Sequence, residues 1–228
     1  MEGFDGSGGD ALFDLEGINI AYGKKTVLKN LDLKIGRGEK IALIGPSGAG
    51  KTTLLRKLYE LKSHESAFIH QHYALVQQLS AFHNVYIGRL DRHSTVYNVL
   101  NLIRPQAREK EAILPIMEKL GISEKIFEKV GKLSGGQQQR VAVGRAMYLG
   151  GEIVLADEPV SSVDVHQGEA ILKLIMETDK TVIASLHSRD FALRFASRVI
   201  GIREGKIIFD LQAEEVSSSL LKELYSPC

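Results

Sequence analysis

Lys40-Ile-Ala-Leu-Ile-Gly45-Pro-Ser-Gly-Ala-Gly-Lys51-Thr52 joins a short apolar run to a glycine-rich loop, and Thr53-Leu-Leu-Arg-Lys-Leu-Tyr-Glu-Leu61 continues it in a helix-forming pattern. Residues 41–44 read as a buried strand, because a strand covered on both faces is apolar without alternation. The loop fits the spacing Gly-x4-Gly-Lys-Thr, between a strand and a helix. Its glycines let backbone N–H groups turn inward toward phosphate oxygens without a Cβ clash. The following helix presents the positive end of its dipole to the same anion. Lys51 is placed to bridge β and γ phosphates, and the Thr52 hydroxyl to bind Mg²⁺. The competing reading, a glycine-rich turn with no ligand, is disfavoured by the strand-before, helix-after context. By itself the loop specifies only a phosphate-loop nucleotide-binding protein.

Working outward, residues 12–22 and 27–35 read as strands, with Leu31, Leu33 and Ile35 alternating and turns at Gly23 and Gly36–Gly38. Residues 67–69 are a further short strand. Between about 80 and 131 the apolar spacing becomes helical, as in Ala112, Ile113, Ile116, Met117 and Leu120. Pro105 and Pro115 are expected to break or start elements there. A helix over 137–149 leads back to alternating strands (153–156, 181–185, 199–202, 207–209) and helices (165–177, 189–196), and a helix over 217–225 ends the chain. Such alternation implies a mostly parallel sheet with right-handed crossovers. The expected fold is α/β: a phosphate-loop NTPase parallel-sheet core, a small antiparallel β subdomain, and a helical subdomain inserted at about 80–149. Residues 1–10, glycine-rich and acidic, read as a flexible leader before one domain over 11–228.

Two further strand ends carry chemistry. Ile153-Val-Leu-Ala-Asp157-Glu158 is an apolar strand closed by two carboxylates. A parallel sheet lines up the C-terminal ends of its strands on one edge, so Asp157 can approach the phosphate loop. There Asp157 would hold Mg²⁺, and Glu158 would polarise a water for in-line attack on the γ-phosphate. A solvated strand end is the plain alternative. His187 follows the strand 181–185 and would face the γ-phosphate from the same edge. Leu133-Ser134-Gly135-Gly136-Gln137 precedes a helix and makes a second exposed helix N-terminus. It is either an ordinary helix start or an anion site serving the nucleotide of another copy. The other six histidines show no metal-ligand spacing.

Composition narrows the partners. The 228 residues hold 29 Lys plus Arg against 28 Asp plus Glu, a formal charge of +1. That balance gives no basic excess for a nucleic acid or for a polybasic membrane patch. The single cysteine, Cys228, excludes an internal disulfide framework. No run approaches the roughly 20 apolar residues that span a bilayer. Any service to a membrane is therefore expected from its cytoplasmic side, through a partner.

These residues together resemble the ATPase subunits of the ABC transporter family, over about residues 12–225. Gly45 to Thr52 matches the Walker A loop, Gln71 the Q-loop glutamine, and Leu133 to Gln137 the LSGGQ signature. Asp157 with Glu158 matches Walker B and its adjacent glutamate. Ser161-Ser162-Val163-Asp164 matches the D-loop, His187 the switch histidine, and Tyr22 the aromatic residue that stacks on adenine. The resemblance implies ATP bound by Tyr22, Gly45, Pro46, Ser47, Gly48, Ala49, Gly50, Lys51, Thr52, Thr53 and Gln71. It implies Mg²⁺ held by Thr52, Gln71 and Asp157, and hydrolysis carried by Glu158, His187 and Lys51. It also implies a head-to-tail homodimer. There Leu133, Ser134, Gly135, Gly136 and Gln137 complete the partner's site, with Ser162 and Asp164 in the D-loop beside it.

A membrane permease and, indirectly, a solute-binding protein would be the further partners. The segments 74–80, 84–88, 185–193, 197–205, 208–210 and 220–225 are similar to the phosphonate-importer branch. They touch no solute and mark kinship only. Three departures stand out. Only 20 positions separate Lys51 from Gln71, His70 and His72 flank Gln71, and Gly144 stands before Arg145 where alanine is usual. The first predicts a trimmed antiparallel sheet. The alternatives are an ABC ATPase serving another permease or an exporter-type complex, and a nucleotide-dependent regulator that scarcely hydrolyses. Glu158 and His187 disfavour the regulator.

Overall fold

The computed structural model describes residues 11–22, 25–71, 73–161 and 163–226. The proposed leader over 1–10, the turn at Gly23, His72, Ser162 and Cys228 lie outside the described residues. In chain order the elements are β1 (Phe13–Tyr22), β2 (Lys25–Ile35), β3 (Lys40–Ile44), α1 (Lys51–Leu61), β4 (Ser66–Ile69), α2 (Ala81–Tyr86), α3 (Thr95–Ile103) and α4 (Ala107–Lys119). Then follow α5 (Gly135–Leu149), β5 (Ile153–Asp157), α6 (Val165–Met176), β6 (Thr181–Ser185), α7 (Arg189–Phe195), β7 (Arg198–Arg203), β8 (Lys206–Gln212) and α8 (Ser218–Tyr225). The expected elements are present, most with ends shifted by one to three residues.

The chain divides into two compact units. The first, Met1–Ser63 with Met176–Cys228, contains the antiparallel pair β1–β2 and the strand run β6-β3-β7-β8. β3 pairs in parallel with β6 and with β7, and β7 pairs antiparallel with β8. Ile41, Ala42, Leu43 and Ile44 are fully buried, as the unbroken apolar run predicted. In β2 the alternating Leu31, Leu33 and Ile35 are buried while Asp32 and Lys34 face outward. Among the described residues the antiparallel sheet has two strands. The short stretch after Lys51 supplies α1, a single 3-10 turn and β4, but no third antiparallel strand there.

The second unit, His64–Ile175, holds the parallel pair β4–β5 and the helices α2 to α5. The apolar face of α4 over Ile113 and Met117 is buried, as is Leu120 at its C-cap. Pro105 precedes α4, as expected. Pro115 does not break it: the proline lies inside α4. Pro115 and the residue four before it, Glu111, are both exposed, so water can satisfy the freed carbonyl and the ring points away from the core. Gly88 lets the chain after α2 approach α5 closely, since a Cβ there would lie 2.9 Å from the Arg145 carbonyl oxygen.

Candidate nucleotide-binding site

In the first unit the phosphate loop leaves the C-terminal end of β3. Gly45 has φ 147°, and a Cβ on it would sit 1.9 Å from the Ile202 carbonyl oxygen, so only glycine fits. Its N–H donates to the Tyr225 hydroxyl at 3.1 Å, from α8 at the far end of the chain. The Arg189 guanidinium lies 4.2 Å over the ring of that tyrosine. Gly50, at φ 111°, caps α1, and the helix begins on Lys51 and Thr52. Lys51 is 6% exposed, and its ammonium donates to the carbonyls of Gly45 at 2.7 Å and Pro46 at 3.0 Å. It therefore sits in the crook of its own loop. Pro46, Ser47, Gly48, Ala49 and Thr53 fill the loop and first turn, with Ser47 and Gly48 exposed.

Strand register puts His187 on the same edge. Leu43 is opposite Ser185, so Gly45 and His187 each stand two residues past a paired position. The backbone continues this alignment, with Leu186 N–H donating to Leu43 O at 3.0 Å. His187 is exposed, and Ser188 caps α7 by accepting from Phe191 N–H at 3.2 Å. Tyr22 ends β1.

In the second unit the register of β4 and β5 does similar work. Ile69 is opposite Ala156, which brings Gln71 level with Glu158. The Gln71 amide donates to a Glu158 carboxylate oxygen at 2.8 Å. This pairing was missed from sequence, although Gln71 and Glu158 stand equally two residues past the paired Ile69 and Ala156. Asp157 is 5% exposed, and Glu158 turns the chain at φ 50°. The segment after Gln71 is held in two ways. Arg145 donates to the carbonyls of Ala74 at 2.6 Å and Tyr73 at 2.7 Å. Asn84, fully buried, accepts from Val76 N–H and donates to the carbonyls of Val76 and Ser80.

The signature residues are both a helix start and an exposed surface. Ser134 and Gln137 form a reciprocal capping box: Ser134 Oγ accepts from Gln137 N–H at 3.3 Å, and Ser134 N–H donates to Gln137 Oε1 at 3.0 Å. Leu133 is buried, whereas Ser134 and Gly135 are exposed. At Gly136 a Cβ would meet Gln167 Oε1 at 2.8 Å and Val163 Cγ1 at 3.0 Å, so the glycine lets the D-loop segment pack on the start of α5. Asp164 caps α6, accepting from Gln167 N–H at 3.0 Å. Backbone N–H donors from Gln167 and His166 hold its carboxyl below the usual aspartate range.

The chain is similar to known proteins over most of its length. The family described as "ABC transporter" matches residues 28–161. The chain is 32% identical to "Phosphonates import ATP-binding protein PhnC" of Rhizobium johnstonii, over 94% of this chain and 86% of that protein. It is 36% identical to "Phosphite import ATP-binding protein PxtA" of Stutzerimonas stutzeri, over 95% of this chain and 88% of the other. Among solved structures it is similar to the dimeric bacterial ABC transporter cassette MJ0796, with a TM-score of 0.75 and 25% identity. That match covers 88% of this chain and 98% of the other. A second structure of that dimer, in a post-hydrolysis state bound to ADP and Pi, matches with a TM-score of 0.73. A phosphate loop of this form and an LSGGQ helix start, with the family match and near full-length similarity, establish that the chain is an ATP-binding cassette ATPase belonging to the ABC transporter family.

Proposed function

We propose that this chain energises import of phosphonate, or a related phosphorus oxyanion, through a membrane permease. The observation that carries the solute class is its 32–36% identity, over nearly the whole chain, to import ATPases for phosphonates and phosphite. Two copies act together, each offering its Walker A loop to an ATP that the other copy's signature covers. The dimeric form of a similar cassette supports this. Residues 45–53 hold the phosphates, through the Lys51 ammonium and through backbone N–H groups that Pro46 alone lacks, and Tyr22 stacks on adenine. The Thr52 hydroxyl, Asp157 carboxylate and Gln71 amide oxygen are hard oxygen donors of the kind Mg²⁺ selects. Bound there, the ion would neutralise charge on the β and γ phosphates. Glu158 orients water for in-line attack and accepts its proton, and the bond from γ-phosphorus to ADP breaks to release phosphate. His187 and the partner's signature N–H groups stabilise charge on the γ-phosphoryl oxygens. The D-loop residues Ser162 and Asp164 border this composite centre.

Within the chain, residues 11–228 form the cassette, and the helical stretch at about 80–149 with the Gln71 segment passes the closing motion to the permease. On α3, Val96, Val99, Leu100, Leu102 and Ile103 are exposed, an apolar face suited to such a contact. Among the described residues no helix is long and apolar enough to cross a membrane. As an import ATPase it works peripherally, on the cytoplasmic face of the inner membrane, held by its permease, which in turn receives solute from a binding protein. Co-purification with the permease, followed by ATPase assays with phosphonate, phosphite and an unrelated solute, tests this. Stimulation by the phosphorus oxyanions alone is expected. Stimulation by an unrelated solute would assign a different permease. Glu158→Gln is expected to retain ATP binding while turnover falls roughly 10²–10⁴-fold, the usual loss on removing a general base. Wild-type turnover in that variant would remove Glu158 from the reaction.

A further inference from the structure

We propose that Arg145, on the signature helix α5, is a positioning residue for hydrolysis that acts through Gln71. The inference rests on the reading above that Gln71 and Glu158 belong to the hydrolytic centre. Tyr73 and Ala74 have φ 59° and 46°, two successive non-glycine residues in the left-handed region. Backbone of this kind persists only where its surroundings hold it. The two terminal nitrogens of Arg145 donate to those two carbonyls, at 2.7 and 2.6 Å. A planar guanidinium can hold two acceptors in a fixed fork, whereas a lysine ammonium is a single point donor.

Upstream of the clamp, Tyr73 N–H donates to His70 O at 2.9 Å and closes a turn across Gln71. The Gln71 side chain then reaches Glu158 at 2.8 Å. Downstream, Asn84 ties residues 76–80 in place. The turn bearing Gln71 is thus suspended between β4 and two side-chain anchors, and Arg145 is the one nearer to it. Ser134 starts the same rigid helix roughly 16 Å away, at 1.5 Å per residue. The position of the signature and that of the Gln71 turn are therefore tied through the Arg145 side chain.

Steady-state hydrolysis by the full-length chain tests this, with Arg145→Ala, Arg145→Lys, Gln71→Ala and the double variants. Arg145→Ala is expected to lower kcat roughly ten-fold or more, with the ATP KM within about two-fold, as misplacement of one group in a preorganised centre does. Added methylguanidinium should restore part of that rate. The loss should also vanish in the Gln71→Ala background, because residues acting through one another are not additive. Additive losses, or an Arg145→Ala rate equal to wild type while Gln71→Ala is slow, would overturn the proposal. A wild-type kcat for Gln71→Ala would instead overturn the reading of the centre on which it rests. If Arg145→Ala does not fold, Arg145→Lys carries the same cycle, with a smaller non-additive loss expected and an additive one decisive against it.

Discussion

Gly45 shows how much one residue of the phosphate loop is asked to do. Its φ and the 1.9 Å approach of a would-be Cβ to Ile202 O exclude every side chain. Its carbonyl receives Lys51 and its N–H gives to Tyr225. The loop was legible in sequence, because its spacing is local and its glycines are fixed by backbone geometry, although the first of these contacts was not foreseen. Nor was the second, since Tyr225 stands 180 residues away and looks like one more aromatic on an amphipathic last helix. Tyr225→Phe removes only the acceptor, leaving the ring under Arg189. We expect the ATP KM to rise about two- to ten-fold, the equivalent of one neutral hydrogen bond worth about 1 kcal/mol, with kcat little changed. Steady-state kinetics on the full chain checks this. An unchanged KM would mean that the loop holds its shape without α8.

At the scale of elements, the helical stretch hides a polar core that periodicity did not reveal. Glu109 lies in the first turn of α4, where an acid suits the helix dipole and would normally be read as a surface residue. It is instead 3% exposed. It accepts from the Tyr97 hydroxyl at 3.0 Å and from Tyr148, which brings α3 and α5 to one carboxylate. His93 stacks between Tyr86 and Tyr97 beside them. The segments that resembled the phosphonate-importer branch are similarly structural. Asn84 pins the chain before α2, Gly201 leaves room for the Phe209 ring, and Arg198 grips Asp210 with two bonds of 2.6 Å. Burial raises the Tyr86, Tyr97 and Tyr148 hydroxyls, the first to about 12, and the Glu109 carboxylate adds to each. A group whose folded pKa is raised stabilises the fold fully below its unfolded value, near 10 for tyrosine, and loses that contribution as pH climbs through the folded value. Stability should thus fall from about pH 10 toward 12. The part of the tyrosinate absorbance due to these three, read as the difference from their phenylalanine variants, should appear together with unfolding, and its appearance well before unfolding would place these hydroxyls in water. Tyr148→Phe should cost about 1–3 kcal/mol in denaturant unfolding, because a buried carboxylate loses a donor. A loss below a few tenths would show that Glu109 is held by Tyr97 alone.

For the molecule as a whole, most of the fold was legible because each strand, loop and helix of the cassette announces itself locally. The trimmed antiparallel sheet was legible too, from the 20 positions between Lys51 and Gln71. The sequence pointed to a second copy through the helix start at Ser134, but not to the contacts Ser134 makes within its own chain. Ser134 is exposed at a helix start and already caps that helix through Gln137, so a substitution there combines a local effect with any effect on a partner. Ser134→Ala separates them, costing about 1 kcal/mol of cap and leaving the surface open. Ser134→Arg adds bulk and charge where the partner's ATP would lie. We expect nucleotide affinity of the dilute monomer to stay near wild type in both, and turnover to collapse in Ser134→Arg. Mixing Ser134→Arg with Lys51→Ala then tests the composite centre directly. In a mixed dimer one centre inherits both lesions and the other inherits neither. With random exchange, half the dimers hold one intact centre of two, so activity should recover to roughly a quarter of wild type, as two-fold symmetry requires for independent centres. Recovery to no more than either variant alone, with mixed dimers demonstrated by differential tagging, would mean that each copy splits ATP with its own groups.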